Sequence, residues 1–165
     1  MREQNIRLKA RKINMLATDV DGVLTDGRIV LGNNGEELKF FHVHDGKGVK
    51  LAQEAGIRVA IITGRSSELV ERRARELGVN EIHQGCDDKL KVLEQLLSRY
   101  KLKSDQVAYI GDDLNDLPVL REVGLALTVA DAVGRVRELA DYVSEKKGGR
   151  GAVREIVEMI LGYRQ

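Results

Sequence analysis

Short apolar runs rich in valine and isoleucine alternate with longer amphipathic stretches, which places core strands at residues 13–18, 58–63, 81–84, 106–110 and 125–129. Nothing else in the chain restricts its fold as much. Short apolar runs of this kind are buried strands, amphipathic stretches are helices with one apolar face, and their alternation builds strand-helix-strand units around a parallel sheet. The expected class is α/β, a three-layer Rossmann-like and mostly parallel sheet with helices on both faces. A further short strand is expected at 141–143, and helices at 48–55, 66–77, 89–100, 114–123, 132–139 and 152–161. Gly56, Gly78 and Gly124 follow three of these helices as stop signals.

Residues 26–43 break the alternation. Ile29-Val30-Leu31, then Gly32-Asn33-Asn34-Gly35, then residues 37–41 read as a two-stranded hairpin that projects after the first strand. A lone hairpin is marginal in water, so its apolar residues, Phe40 and Phe41 among them, need something to pack on. Self-association is the simplest answer; folding back on the same domain is the alternative.

A length of 165 residues fits one domain spanning 1–165, with the hairpin as a flap at about 26–43. The formal charge of +1 supplies no field directed at nucleic acid or a membrane surface, which leaves a small molecule as the expected partner. Cys86 is the one cysteine, which excludes an internal disulfide framework or cysteine-rich zinc site, fits a reducing compartment and reads as an inert side chain. The first 12 residues, with Arg2, Arg7, Lys9, Arg11 and Lys12, lack the apolar core of a signal peptide and read as a solvated basic segment. No apolar run reaches membrane-spanning length, and a soluble, cytoplasmic protein is expected.

Asp19-Val20-Asp21-Gly22-Val23-Leu24-Thr25 leaves the end of the first apolar run. Closely spaced carboxylates at a strand's carboxyl edge attract a hard cation such as Mg²⁺, which prefers oxygen ligands and keeps positions open for phosphate oxygens. Three more elements leave later strands. Thr63-Gly64-Arg65 offers a hydroxyl and the N–H groups that open a helix; Lys89 begins a helix and can neutralise phosphoryl charge; Gly111-Asp112-Asp113-Leu114-Asn115-Asp116 gathers like charges that repel unless a cation or protons intervene. Capping explains one of those carboxylates, not three. In an open parallel sheet the strands' carboxyl ends share one edge, so the four elements can converge at a topological switch point.

In Asp19-x-Asp21-Gly22-x-x-Thr25, Thr63, Lys89 and Gly111-Asp112-Asp113-x-x-Asp116 the chain resembles the haloacid dehalogenase superfamily of phosphatases. The resemblance implies that Asp19 attacks phosphorus and forms an aspartyl-phosphate, while Asp21 protonates the leaving oxygen and later activates water. It places Mg²⁺ between Asp19, the backbone carbonyl of Asp21 and Asp112. It gives Thr63, the Gly64 N–H and Lys89 to the transferring group, and Asp113 or Asp116 to holding the metal shell and the lysine. Neither interval that carries a cap in other members has room for one here.

Within the capless type the chain is similar to the 3-deoxy-D-manno-octulosonate 8-phosphate (KDO 8-phosphate) phosphatase family. The likeness lies in residues 19–27, in Phe41-x-Val43-x-Asp45-Gly46-x-Gly48, in residues 61–65 and in Gly148-Gly149-Arg150-Gly151-Ala152-Val153-Arg154-Glu155. It implies a sugar acid phosphate as substrate and a homotetramer with hairpins at its centre. Arg65 and Arg150 are candidates for gripping the substrate's carboxylate or phosphate, since guanidinium binds such groups in a bidentate way. Two departures are that His44 stands where relatives often carry arginine, and that the chain ends soon after its last helix. His42 and His44 alternate in what reads as an extended segment, a polar face rather than a metal pair. An N-acylneuraminate 9-phosphate phosphatase, a phosphate-receiver module and a silent assembly domain remain the alternatives.

Overall fold

The computed structural model describes residues 2–164, without the side chain of Arg2; the terminal Met1 and Gln165, included in the expected domain, lie outside the described residues. Among the described residues six parallel strands form the main sheet in the order β5-β4-β1-β6-β7-β8. They are β1 (Met15–Thr18), β4 (Arg58–Ile62), β5 (Glu81–His83), β6 (Val107–Ile110), β7 (Leu125–Thr128) and β8 (Tyr142–Val143). Strands β2 (Val30–Leu31) and β3 (Glu37–Leu38) pair antiparallel as the separate hairpin. In β1, β6 and β7 every residue is buried, as expected of strands covered on both faces.

The helices are α1 (Arg2–Ala10), α2 (Val43–Glu54), α3 (Glu68–Glu76), α4 (Lys89–Tyr100), α5 (Leu117–Glu122), α6 (Gly134–Leu139) and α7 (Ala152–Arg164). Right-handed crossovers put α2 and α3 on one face, where the chain moves outward from β1 to β5, and α4, α5 and α6 on the other, where it returns through β6 to β8. Helices α1 and α2 both pack on α7, and α4 and α6 both pack on α5. The core between the layers includes Ile13, Leu16, Ile62, Leu93, Leu96, Tyr109, Leu127 and Ile156, each almost wholly buried.

The register fixes where the site lies. Thr18 is level with Ile61 of β4 on one side and Ile110 of β6 on the other. The residues that follow these three central strands therefore emerge side by side. Between β4 and β6, on β1, the winding direction reverses, which is the switch point of an open sheet.

Several expectations need correction. The basic lead-in is not a solvated tail but helix α1, whose Ile6 and Ala10 are buried while Leu8 is 62% exposed. Two buried residues four apart make too narrow an apolar stripe to read against five basic side chains. The segment holding His42 and His44 is extended only as far as His42. Helix α2 starts at Val43, five residues before the expected position, with His42 as its N-cap accepting a hydrogen bond from the His44 N–H. The two imidazoles meet edge to face, 5.0 Å apart. The expected helix at 114–123 is a 3-10 turn over Leu114–Asp116 followed by α5. Pro118, which has no N–H to donate, is tolerated in the first helical turn. Gly56 and Gly78 have the positive φ of helix stops, whereas Gly124 serves close packing, since a Cβ there would lie 2.5 Å from the Asp105 carbonyl oxygen.

Candidate active site

Asp19 follows β1 and is 6% exposed. Its N–H extends the sheet by donating to the Ile110 carbonyl at 2.9 Å, and its Oδ1 accepts from the Val20 N–H at 2.7 Å. The chain then turns sharply, with the N–H groups of Val23, Leu24 and Thr25 all directed to the Val20 carbonyl. Thr25 staples the turn, its Oγ1 accepting from Gly27 N–H at 3.2 Å and Gly22 N–H at 3.4 Å. Gly22 is obligatory on two grounds: its φ is +88°, and a Cβ there would lie 2.0 Å from Asp112 Oδ2. The first and last acidic motifs therefore touch through a position that can carry no side chain.

The segment at 148–151 holds this loop from behind. A Cβ on Gly148 would lie 1.7 Å from the Gly22 carbonyl oxygen, and the Gly149 N–H donates to the Val23 carbonyl at 2.8 Å. Buried Asp45, in the first turn of α2, accepts from Gly151 N–H at 3.0 Å and Arg154 N–H at 3.1 Å. Asp45 from the stretch at 41–48 and the backbone of the stretch at 148–155 thus form one clasp, which sets the position of the loop carrying Asp19 and Asp21.

Lys89 opens α4, whose N-cap Asp88 accepts from Lys91 N–H. Its buried Nζ reaches Asp19 Oδ2 at 2.6 Å and Asp116 Oδ1 at 2.7 Å. Burial alone would lower the proton affinity of this ammonium, but the flanking Asp19 and Asp116 carboxylates prevail and hold it above the usual lysine value. Burial, with Asp116 next, pushes Asp19 up against the pull of Lys89. Asp116 is fully enclosed and fully used: Oδ1 also accepts from Tyr109 Oη at 2.7 Å, and Oδ2 accepts from the N–H groups of Asp112 and Asp113. It organises the lysine and the acidic turn. Burial, followed by Asp116, raises the Tyr109 phenol well above its usual value, so it remains a hydrogen-bond donor.

Asp112 differs from Asp116. Its Oδ1 is buried without a hydrogen-bond partner, and burial, then the charges of Asp19 and Asp116, push its carboxyl up to about 8. A carboxylate oxygen left this way is costly unless a cation meets it. Oxygens of Asp19, Asp112 and Asp116 all lie within 4.8 Å of one another. With Asp116 saturated, Asp19 and Asp112 are the carboxylates that fit a hard divalent ion, and Asp21 follows on the same loop as Asp19.

Beyond β4, Thr63 is buried and the Gly64 N–H makes no hydrogen bond among the described residues. The amide nitrogen of Asn115 stands 3.9 Å from where a Gly64 Cβ would be. Arg65 and Arg150 do not converge in the same way. Arg65 pairs with Glu37 of the hairpin at 2.8 Å and Arg150 with Asp26 at 3.5 Å, both partly exposed. Asp113 is exposed and caps the following 3-10 turn through Leu114 N–H. Cys86 is half-buried, and burial raises its thiol, in keeping with an inert side chain.

Lys39 was not among the expected site residues. Its side chain is 2% exposed and its Nζ lies 2.5 Å from Asp21 Oδ1 and 3.6 Å from Glu37 Oε1. Glu37 in β3 and Lys39 just after it are two residues apart and both turn toward the site, as their contacts with Asp21 and Arg65 show. The alternation Glu37-Leu38-Lys39-Phe40 held that signal, beside the apolar residues that drew attention to the hairpin.

A family model described as haloacid dehalogenase-like hydrolase matches residues 79–156. The chain is 49% identical over 157 residues, 95% of its length and 84% of the relative's, to 3-deoxy-D-manno-octulosonate 8-phosphate phosphatase KdsC of Escherichia coli strain B / BL21-DE3. It is 50% identical over 153 residues, 93% of this chain and 82% of the relative, to the protein of that name from Yersinia pestis. Among solved structures, the Moraxella catarrhalis phosphatase of that name, in complex with magnesium, phosphate and KDO, superposes with TM-score 0.96 at 46% identity, covering 98% of this chain and 92% of the other. The cobalt-bound form of the Haemophilus influenzae phosphatase gives 0.91 at 41% identity, covering 94% and 91%.

Proposed function

We propose, from the premise that this chain belongs to the haloacid dehalogenase-like hydrolases and within them to the KDO 8-phosphate phosphatase family, that it is a Mg²⁺-dependent phosphomonoesterase releasing KDO and phosphate from KDO 8-phosphate. The observation that carries the reading is the placement of Lys89 between Asp19 and Asp116, beside the unpartnered oxygen of Asp112. That arrangement neutralises phosphoryl charge around one carboxylate able to act as nucleophile, which is most of what phosphoryl transfer demands.

Asp19, Asp112 and the backbone carbonyl of Asp21 would hold the metal. When bound, Mg²⁺ supplies positive charge for the phosphoryl oxygens and orients the phosphate. Asp19 attacks phosphorus and forms the aspartyl-phosphate. Asp21 gives a proton to the departing oxygen and then accepts one from the water that hydrolyses the intermediate. Thr63, the Gly64 N–H and Lys89 bind the transferring group, and Asp113 and Asp116 keep the acidic turn and the lysine in place. Arg65 and Arg150 bind the sugar acid's anionic groups after exchanging their carboxylate partners for substrate.

The protein acts as a single capless domain. It works in the cytoplasm, on a sugar acid destined for lipopolysaccharide, without nucleic acid or membrane partners. It assembles as a homotetramer through the hairpin: Ile29, Leu31, Leu38, Phe40 and Val43 are each more than half exposed, an apolar patch that association between copies would cover.

Phosphate release with Mg²⁺ from KDO 8-phosphate, an N-acylneuraminate 9-phosphate and p-nitrophenyl phosphate, with wild type and Asp19→Asn, tests the reading. Preference for KDO 8-phosphate, abolished in the variant, is the expected result. Turnover without that preference would replace the substrate, and turnover by Asp19→Asn would remove the nucleophile.

A further inference from the structure

We propose that Lys39, brought to the site by the hairpin, is a positioning residue for the general acid: by holding Asp21 Oδ1 it leaves Oδ2 as the oxygen that carries and transfers the proton. The inference rests on the phosphomonoesterase reading above and concerns one step of it.

Lys39 lies on a hairpin whose neighbouring Leu38 and Phe40 are 53% and 61% exposed, yet its own side chain is 2% exposed. Lysine is seldom buried to this degree unless it is paired, and solvent lies within reach of so long a stem. Its partners are two carboxylates, Asp21 Oδ1 at 2.5 Å and Glu37 Oε1 at 3.6 Å. Glu37 is in turn held by Arg65 at 2.8 Å. The chain Asp21–Lys39–Glu37–Arg65 thus joins the loop after β1 to the turn after β4 through the hairpin. The described protein contacts of the Asp21 carboxylate run to Oδ1 alone. Its orientation is therefore set by one ammonium group, and the loop backbone is set independently by Thr25 and the glycine clasp.

In the first half-reaction, Asp19 forms a bond to phosphorus as the bond from phosphorus to the sugar's bridging oxygen breaks. The bonding pair goes to that oxygen, and the Asp21 Oδ2 proton follows it, releasing neutral alcohol. An alkoxide is a strongly basic leaving group that depends on this proton, whereas p-nitrophenolate departs without it. In this half-reaction loss of correct acid placement therefore separates the two kinds of substrate, while loss of fold or metal does not; hydrolysis of the aspartyl-phosphate, with Asp21 as base, is common to both.

The experiment is steady-state kinetics of Lys39→Met and Lys39→Arg with Mg²⁺ on KDO 8-phosphate and p-nitrophenyl phosphate. For Lys39→Met, kcat/KM on KDO 8-phosphate, which reports steps only as far as release of the alcohol, should fall on the order of 100-fold, while kcat/KM on the aryl phosphate falls about threefold or less. Lys39→Arg should recover much of the alkyl phosphate rate. Equal loss of kcat/KM on both substrates, or no loss on either, would each overturn the role of Lys39. Wild-type enzyme that hydrolyses neither phosphate would instead overturn the phosphatase reading on which it rests.

Discussion

Asp112→Asn should make the metal-free protein more stable while removing its activity. Asparagine keeps the shape of the side chain and removes the charge whose Oδ1 has no partner. The folded-state carboxyl keeps its proton to about 8, against 3.8 for an ordinary aspartate. A raised carboxylate costs stability: the penalty is absent below 3.8, grows as pH rises, and levels off above about 8. At about 1.4 kcal/mol per pH unit, the interval between 3.8 and neutrality corresponds to about 4 kcal/mol. Asp112 is only half-buried and water relaxes part of the charge, so about 2 kcal/mol is the working value. For a domain of this size that is about 4–8 °C in Tm. Thermal unfolding in chelator at pH 5 and pH 8 measures it: the variant should melt above wild type at pH 8, and the gap should narrow at pH 5. Adding Mg²⁺ should raise the wild-type Tm and leave the variant's unchanged, because only a state that binds the ion gains from it. A variant melting at or below metal-free wild type at pH 8, or a gap independent of pH, would refute the account of Asp112 as a carboxylate awaiting a cation.

Lys89→Met would leave Asp19 and Asp116 facing each other without their shared cation and should cost about 3–5 kcal/mol, read from urea unfolding in chelator. Gly148→Ala adds a methyl group 1.7 Å from the Gly22 carbonyl oxygen, so backbone must move; a loss of about 1–3 kcal/mol with a large fall in kcat is expected, against near-neutral Gly162→Ala, which meets open space. Phe40→Glu should shift sedimentation toward smaller species if the hairpin joins the copies, and unchanged size would place the interface elsewhere.

The central strands were legible because β1, β6, β7 and most of β4 are buried, largely apolar runs, and α4 was legible at both ends because Asp88 caps it and its apolar stripe is regular. The convergence of Asp19, Lys89 and Asp112 followed from parallel topology alone, since the ends of neighbouring strands share an edge. What stayed hidden depended on tertiary partners. Helix α1 is made largely of good helix formers, but nine residues are too few to hold a helix in isolation, and it is fixed because Ile6 and Ala10 dock on the body of the protein. The start of α2 was masked by the alternation Phe41-His42-Val43-His44, which mimics a strand until His42 acts as cap. Tyr109 looked like any strand residue; only its depth beside Asp116 makes its hydroxyl part of the charge network.

The glycine clasp has a consequence for the order in which the protein matures. All the carboxylates of the proposed site and its lysine precede residue 117, but the wall behind Gly22 is supplied by Gly148 and Gly149, held by Asp45 and the start of α7. A growing chain can therefore acquire its core strands and the Lys89 bridges while the Asp19–Thr25 turn still lacks its backing, because contacts between distant segments form late. During refolding, burial of Tyr109 should run ahead of the recovery of turnover, with the closing segment as the step between them.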